Sequence, residues 1–431
     1  MELLKDIIHS ISNGEYDDCL LRMYCTTKDG LSFYRQRLLN LVDTFGRTFG
    51  YDREVELFSA SGRTEICGNH TDHQLGHVMA GSVNLDVIAV ASKNTDGTVR
   101  VKSEGYPMDT VTVSESEPIE AEKNTSASLI RGINRYFINK GYSVGGYDAC
   151  TTSNVLKGSG LSSSAGFEVL IGNIVNGLYA NQELNSKEIA IAGQYAENVF
   201  FGKPCGLMDQ MACSVGGIIS IDFYDKHSPK VQAIDFDFAK TGYSLCIIDS
   251  GADHSNLTNE YADITKEMRS VCDYFGVEYL SRVNEEDFYS SIMQLRRVCS
   301  DRAILRAIHY FNDDKRVSKE VEALKSGNLQ EFFDLVNQSG RSSYMYLQNV
   351  YAPSMPQNQA VAVVIALCEK YLNGKGAFRV HGGGFAGTVQ AFVPNELVQE
   401  FKANIENAIG KDMCHVLNIR SVGGLRLYKN I

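Results

Sequence analysis

The feature that most constrains this chain is Lys157-Gly-Ser-Gly-Leu-Ser-Ser-Ser-Ala-Gly166, set between a strand-like run and a helical one. Upstream, Tyr147–Asn154 reads as a strand. Downstream, Phe167, Leu170, Ile171, Ile174, Val175 and Leu178 recur at the i, i+3, i+4, i+7 spacing of a helix with one buried face. A strand, a glycine-rich turn and a helix in that order put unpaired N–H groups and a positive dipole end beside backbone that a ligand can approach closely. That suits a polyphosphate, and the serine hydroxyls offer further donors and one ligand for Mg2+. The Gly-Lys-Ser/Thr ending of a Walker loop is absent. Read alone, the segment also fits a turn that merely joins strand to helix.

The rest of the sequence bounds what such a turn can serve. At 431 residues and 44% apolar content the chain can bury two cores, so two domains with a cleft between them are expected. The net charge of −11 is spread, with no basic block to track a nucleic-acid backbone or an anionic membrane. Eleven scattered cysteines with no CxxC pair read as reduced thiols in a cytoplasmic protein. The N-terminus lacks a signal-peptide pattern. The most apolar window, Val78–Ala91, is broken by Asn84 and Asp86 and is too short to span a bilayer.

Residues 1–50 have helical periodicity and are expected as an extension ahead of the main fold. Strand-like runs follow at Val55–Ser59, Val78–Ser92 and Val99–Ser103, with a turn at Thr95-Asp-Gly97. Thr125–Tyr136 reads as a helix, and Asn185 with Glu188 forms a capping box for a helix running to Phe200. Strands are expected at Ser214–Asp222, Ser244–Ile248 and Thr388–Phe392, with helices near 259–275, 300–311, 317–325, 328–336 and 357–372.

Three further clusters carry polar chemistry. Glu197 ends the capped helix, and Asp209-Gln210 follows after Gly202, Pro204 and Gly206. Those breakers exclude one continuous helix, so one acid can hold a metal while the other contacts a hydroxyl, although each also fits a solvated charge. Ser61-Gly-Arg63-Thr-Glu-Ile-Cys-Gly68-Asn-His-Thr-Asp-His73 packs polar groups between two strands, as a hydroxyl-rich ligand requires. A zinc site from His70, His73 and His77 is the alternative there. Val380-His-Gly-Gly-Gly-Phe-Ala-Gly387 brings backbone against a ligand or makes a structural hairpin.

In this order and spacing the four clusters closely resemble the galactokinases of the GHMP kinase superfamily, with coverage from about residue 55 to the C-terminus. The resemblance implies an α+β, two-domain GHMP kinase fold. Its N-terminal domain would be ribosomal S5 domain 2-like and its C-terminal α+β domain ferredoxin-like, with the active site in the cleft between them. The corresponding divisions are 1–50 for the helical extension, 51–235 and 236–431. Asp209 would be the catalytic base and Arg63 would steady its anion and the transferring phosphoryl. Ser164 and Glu197 would hold Mg2+. Gly158, Ser159, Gly160, Leu161, Ser162, Ser163 and Ser164, with Gly383 and Gly384, would bind ATP. Asn69, His70, Asp72, Gly206 and Tyr261 would bind the sugar.

Some positions depart from the family pattern. Asn69 stands where the family usually has Glu, His73 replaces a Tyr, Leu156 a Pro, and Asp253 an Arg present in several relatives. The implied reaction is transfer of the γ-phosphoryl of ATP to the C1 hydroxyl of galactose, by a monomer whose partners are sugar and nucleotide. An anomeric kinase for N-acetylgalactosamine or galacturonic acid is a second reading, motivated by Asn69. A sugar- and ATP-binding regulator without turnover is a third.

Overall fold

The computed structural model describes residues 1–430 except Ser116, Lys157, Gly158, Pro204 and residues 253–256, so the expectations at Gly158 and Asp253 lie outside the described residues. The strands are β1 (Glu2–Leu3), β2 (Glu54–Cys67), β3 (His77–Lys93), β4 (Thr98–Ser103), β5 (Met108–Thr112), β6 (Tyr147–Ser153), β7 (Ile218–Asp222), β8 (Lys230–Ile234), β9 (Tyr243–Asp249), β10 (Ala377–His381), β11 (Thr388–Pro394), β12 (Cys414–Leu417) and β13 (Leu425–Arg426). The helices are α1 (Leu4–Ser12), α2 (Asp17–Tyr24), α3 (Leu31–Phe49), α4 (Ser126–Asn139), α5 (Ser163–Tyr179), α6 (Ser186–Tyr195), α7 (Met208–Val215), α8 (Thr258–Tyr274), α9 (Glu285–Ser290), α10 (Ile292–Leu295), α11 (Asp301–Lys325), α12 (Leu329–Ser342), α13 (Ala360–Leu372) and α14 (Val398–Ile409).

Two sheets organise them. The larger runs β1-β2-β3-β6-β4-β5, with β13 added to β2 and the β7–β8 pair added to β3; only the β4–β6 pairing is parallel. The long strand β3 spends its first residues on β7 and its last on β6. The smaller sheet, β10-β11-β9-β12, is antiparallel throughout.

Side chains alternate across a strand, and β3 fills both faces with apolar groups. Val87, Ala89 and Ala91 join the core under α4, α5 and α6, whereas Ile88 and Val90 join a second core with Leu4, Ile7, Leu38, Val42 and Phe45. The first 50 residues therefore seal the back of the sheet rather than trailing from it. The polar break at Asp86 has a structural reason. Its buried carboxylate accepts from Arg37 (2.5 Å), Ser59 (2.6 Å), Tyr24 (2.9 Å) and Arg420 (3.2 Å), tying the N-terminal helices and the C-terminal tail to β3. The smaller sheet buries Ile248, Val380 and Val389 against Val361, Val364 and Cys368 of α13 and Phe401 and Ile405 of α14.

Three elements differ from the sequence pattern. The expected strand at Ser214–Asp222 begins only at Ile218, because Met208–Val215 is helix α7. The two helices expected at 300–311 and 317–325 are one, α11, with no Gly or Pro between them to break it. Strand β2 runs on to Cys67, well past Ser59.

Candidate active site

Strand β2 carries the first part of the site. Arg63, Thr64 and Glu65 pair in register with Ser82, Gly81 and Ala80, between irregularities at Ser61/Arg63 and Glu65/Cys67. Such irregularities re-aim side chains beside functional sites. Arg63 meets the first turn of α7, where its Nε and Nη2 donate to Oδ1 and Oδ2 of Asp209 at 2.8 and 2.7 Å. The fork is bidentate, the strong form of this pairing. Arg63 is nearly buried while the Asp209 side chain remains 35% exposed, so the carboxylate stays open to the cavity.

The glycine- and serine-rich turn is strapped to the same strand. The Arg63 N–H donates to Leu161 O at 3.0 Å, and the Arg63 guanidinium also reaches Gly160 O. Ser162 precedes α5 in a left-handed conformation, and its hydroxyl donates to Asp209 instead of capping the helix. No side chain among the described residues caps α5, which leaves its first N–H groups for an anion. Ser159 is buried and its hydroxyl donates to Leu156 O at 2.8 Å, while Leu161 is fully buried.

A cavity of about 230 Å³ opens where these parts meet, lined by Arg63, Glu65, His70, Asp72, His73, Ser164, Glu197, Lys203, Cys205, Gly206, Met208, Asp209, Gln210, Gly382 and Gly383. It lies below the roughly 300–1,000 Å³ of drug-sized pockets and suits a monosaccharide. Its walls come from both sheets, since Gly382 and Gly383 follow β10.

His70, in a left-handed turn, sets its Nε2 at 3.1 Å from Gly383 O. A carbonyl only accepts, so Nε2 carries the proton and Nδ1 is left as an acceptor. Burial, with His73 nearby, holds His70 down at about 4, so the ring is neutral at working pH.

Glu197 in the cavity wall and Glu168 behind it share one amide. Gln210 Nε2 donates to Glu197 Oε2 and Glu168 Oε2, each at 2.9 Å. Burial, with the charge of Glu197, pushes Glu168 well above the usual carboxylate range. Glu168 Oε1 and Gln210 Oε1 are buried without partners among the described residues. Lys203 Nζ lies 3.5 Å from Glu197 Oε1.

Of the residues singled out in the sequence, the cavity gathers Arg63, His70, Asp72, Ser164, Glu197, Gly206, Asp209 and Gly383. Ser159, Gly160, Leu161, Ser162, Ser163, Asn69, Tyr261 and Gly384 do not line it. Tyr261 donates to Gly384 O at 3.0 Å and packs edge-on against Phe385, bracing the glycine loop, and neither Tyr261 nor Gly384 lines the cavity. Asn69 is fully buried among protein partners. His70, His73 and His77 do not converge: the His77 imidazole turns to Asp314, 2.9 Å away, and the described residues contain no cluster of three or more metal-ligating side chains. Glu65, Glu168 and Gln210 join the site although no motif in the sequence assigns them a role. The available signal for Glu168 was an acid on the inward side of an otherwise apolar helix.

The profile described as "GHMP kinases N terminal domain" matches residues 128–217, and that described as "Galactokinase galactose-binding signature" matches residues 43–93. The galactokinase of Actinobacillus pleuropneumoniae is 32% identical over 362 residues, covering 83% of this chain and 90% of that protein. The galactokinase of Glaesserella parasuis serovar 5 is 30% identical over 369 residues, with the same coverage. The chain belongs to the galactokinase family. Among solved structures, the Lactococcus lactis galactokinase complexed with galactose matches with a TM-score of 0.75 and 24% identity, over 89% of this chain and 98% of that one. The two sheets and their helices are thus a two-domain GHMP kinase fold, and this member of the galactokinase family is an ATP-dependent sugar kinase. No helix among the described residues is long and apolar enough to cross a membrane.

Proposed function

We propose that this kinase transfers the γ-phosphoryl of ATP to the C1 hydroxyl of galactose, giving galactose 1-phosphate and ADP. The observation that carries the reading is the Arg63–Asp209 fork at a cavity that also presents Ser164, Glu197, His70 and Asp72. In this scheme the half-exposed Asp209 carboxylate accepts the C1 hydroxyl proton as that oxygen attacks the γ-phosphorus and ADP leaves. Arg63 holds the Asp209 carboxylate in place through its two hydrogen bonds and faces the charge that builds on the phosphoryl oxygens during the transfer. His70 Nδ1 and Asp72 accept sugar hydroxyls, and Gly206 brings backbone close to the ring. The serine-rich turn and the uncapped start of α5 hold the phosphates.

Ser164 and Glu197 would hold Mg2+. The donor set fits, because Mg2+ takes oxygen ligands from one or two carboxylates together with substrate phosphates, and orphaned oxygens of Glu168 and Gln210 lie behind Glu197. The ion would supply charge neutralisation on the phosphates. All eleven cysteines are free thiols, which supports a reducing cytoplasmic setting.

Purified protein with MgATP is expected to phosphorylate galactose with the highest kcat/KM in a panel of hexoses, N-acetylgalactosamine and galacturonic acid. Turnover of none of them would sink the reading. The acids Glu65, Asp72, Glu197 and Asp209 outnumber Arg63 and Lys203 around the cavity, which favours a neutral sugar over a uronic acid.

A further inference from the structure

Asn69 has no capacity left for a ligand. An amide side chain offers two N–H donors and an oxygen with two lone pairs. Its Nδ2 donates to Glu65 Oε1 (2.9 Å) and Gly382 O (2.7 Å), and its Oδ1 accepts from Asn349 Nδ2 (2.8 Å) and Ser343 Oγ (3.2 Å). Every site is used, and the residue is fully buried.

Glu65 is in the opposite position. It lies two residues from Arg63 in a regular stretch of strand, so both side chains leave the same face, roughly 7 Å apart at ~3.4 Å per residue. Both line the cavity. The hydrogen bonds that described residues make to the Glu65 carboxylate all fall on Oε1, from Asn69 and from Arg379 Nη2 at 3.0 Å. Arg379 is itself buried and anchored to Ile66 O (2.8 Å) and Val380 O (3.0 Å). No hydrogen bond from the described residues reaches Oε2.

We propose that Glu65, held by Asn69 and Arg379, is a specificity-determining residue whose Oε2 accepts a hydrogen bond from a sugar hydroxyl on the side of the ring away from C1. The inference rests on the sugar kinase reading and deepens it. The spacing from Arg63 matches the reach from the reacting hydroxyl across a pyranose ring. A fixed carboxylate there also repels a substrate carboxylate, so uronic acids are rejected at the same place.

The test compares wild type, Glu65→Gln and Glu65→Asp on galactose, its 2-, 3-, 4- and 6-deoxy analogues and galacturonic acid. Glu65→Asp keeps the charge opposite Arg379 but withdraws the oxygen, so it separates recognition from folding, with Tm as the control. Wild type is expected to disfavour one of the 3-, 4- and 6-deoxy analogues by ~100-fold or more in kcat/KM, as a site built for a hydroxyl does. Both variants should reduce that ratio to under ~10-fold, chiefly through KM on galactose, and leave the ratios at the other positions unchanged. Glu65→Gln should also narrow the gap between galactose and galacturonic acid. Variants that rank and space the analogues as wild type does would overturn the proposal. Calorimetric titration of galactose reads the same contact without turnover: a loss of ~10-fold or more in affinity in both variants supports it, and unchanged affinity overturns it. Wild type that binds galactose but phosphorylates no hexose overturns the proposed reaction alone. Wild type that neither binds nor phosphorylates a hexose overturns both.

Discussion

The two walls of the cavity are built differently. The phosphoryl wall is made mostly of residues close in sequence and leaves the Asp209 carboxylate open to the cavity: the serine-rich turn, Glu197 and Asp209 fall within 159–210, and Arg63 joins them from β2. The sugar wall is backed by a buried polar network gathered along the whole chain. Asn69 alone is held by Glu65, Gly382, Ser343 and Asn349 through its side chain, and by His309 and Asp313 through its backbone. An open wall can be read and altered group by group. A sealed network answers a single substitution with its folding energy, since removing one member leaves its buried partners unpaired.

The largest break expected on the open wall is Asp209→Asn. Loss of the general base should lower kcat by about 10²–10⁴-fold, while calorimetry still finds ATP bound. Turnover near the wild-type rate would remove Asp209 from its role. On the sealed wall the corresponding break is Arg379→Met, which strands Glu65 as a buried unpaired charge. It should cost about 3–5 kcal/mol in urea unfolding, and a loss below about 1 kcal/mol would mean that the network is softer than its geometry.

The same contrast explains what the sequence revealed. Arg63, Asp209, Glu197 and the serine turn stand in compact motifs whose residue types advertise their chemistry. Asn69 and Glu65 lie in such a motif too, but their burial is decided by Ser343, Asn349 and Arg379, which no spacing links to them. Strand β2 was legible only to Ser59 because the polar run from Ser61 to Glu65 breaks the apolar alternation that marks a strand, and the partners that let those residues be buried come from elsewhere in the chain. Helix α7 escaped because its eight residues, after Gly206, span too few turns to establish a period.

A smaller change tests whether the two walls act independently. Gln210→Met removes the one amide donor that joins Glu197 to Glu168 and leaves the Arg63–Asp209 fork in place. If Glu197 holds Mg2+, the Mg2+ concentration for half-maximal rate should rise by about 10- to 100-fold, the usual cost of losing support behind a metal ligand. An unchanged Mg2+ requirement would show that Glu197 needs no such support.

The last expected effect concerns folding alone and vanishes near pH 4.5. Glu320 on α11 is fully buried, and neither carboxylate oxygen has a hydrogen-bond partner among the described residues. Burial pushes it up to about 8, with Cys67 easing the shift and Asp313 adding to it, against an ordinary value of 4.5. The folded state therefore keeps a proton that the unfolded chain releases above about pH 4.5. Between there and pH 8 the native state binds more protons, so stability falls as pH rises, and above pH 8 the loss is complete. Glu320→Gln places a permanently neutral group of the same shape at that point and removes this dependence. Tm of the variant should exceed that of wild type increasingly from pH 5 to pH 8, while the two nearly coincide near pH 4.5. Parallel curves across that window would mean that Glu320 is ionised in the folded protein, and that the network around Arg379 carries one more negative charge than its geometry implies.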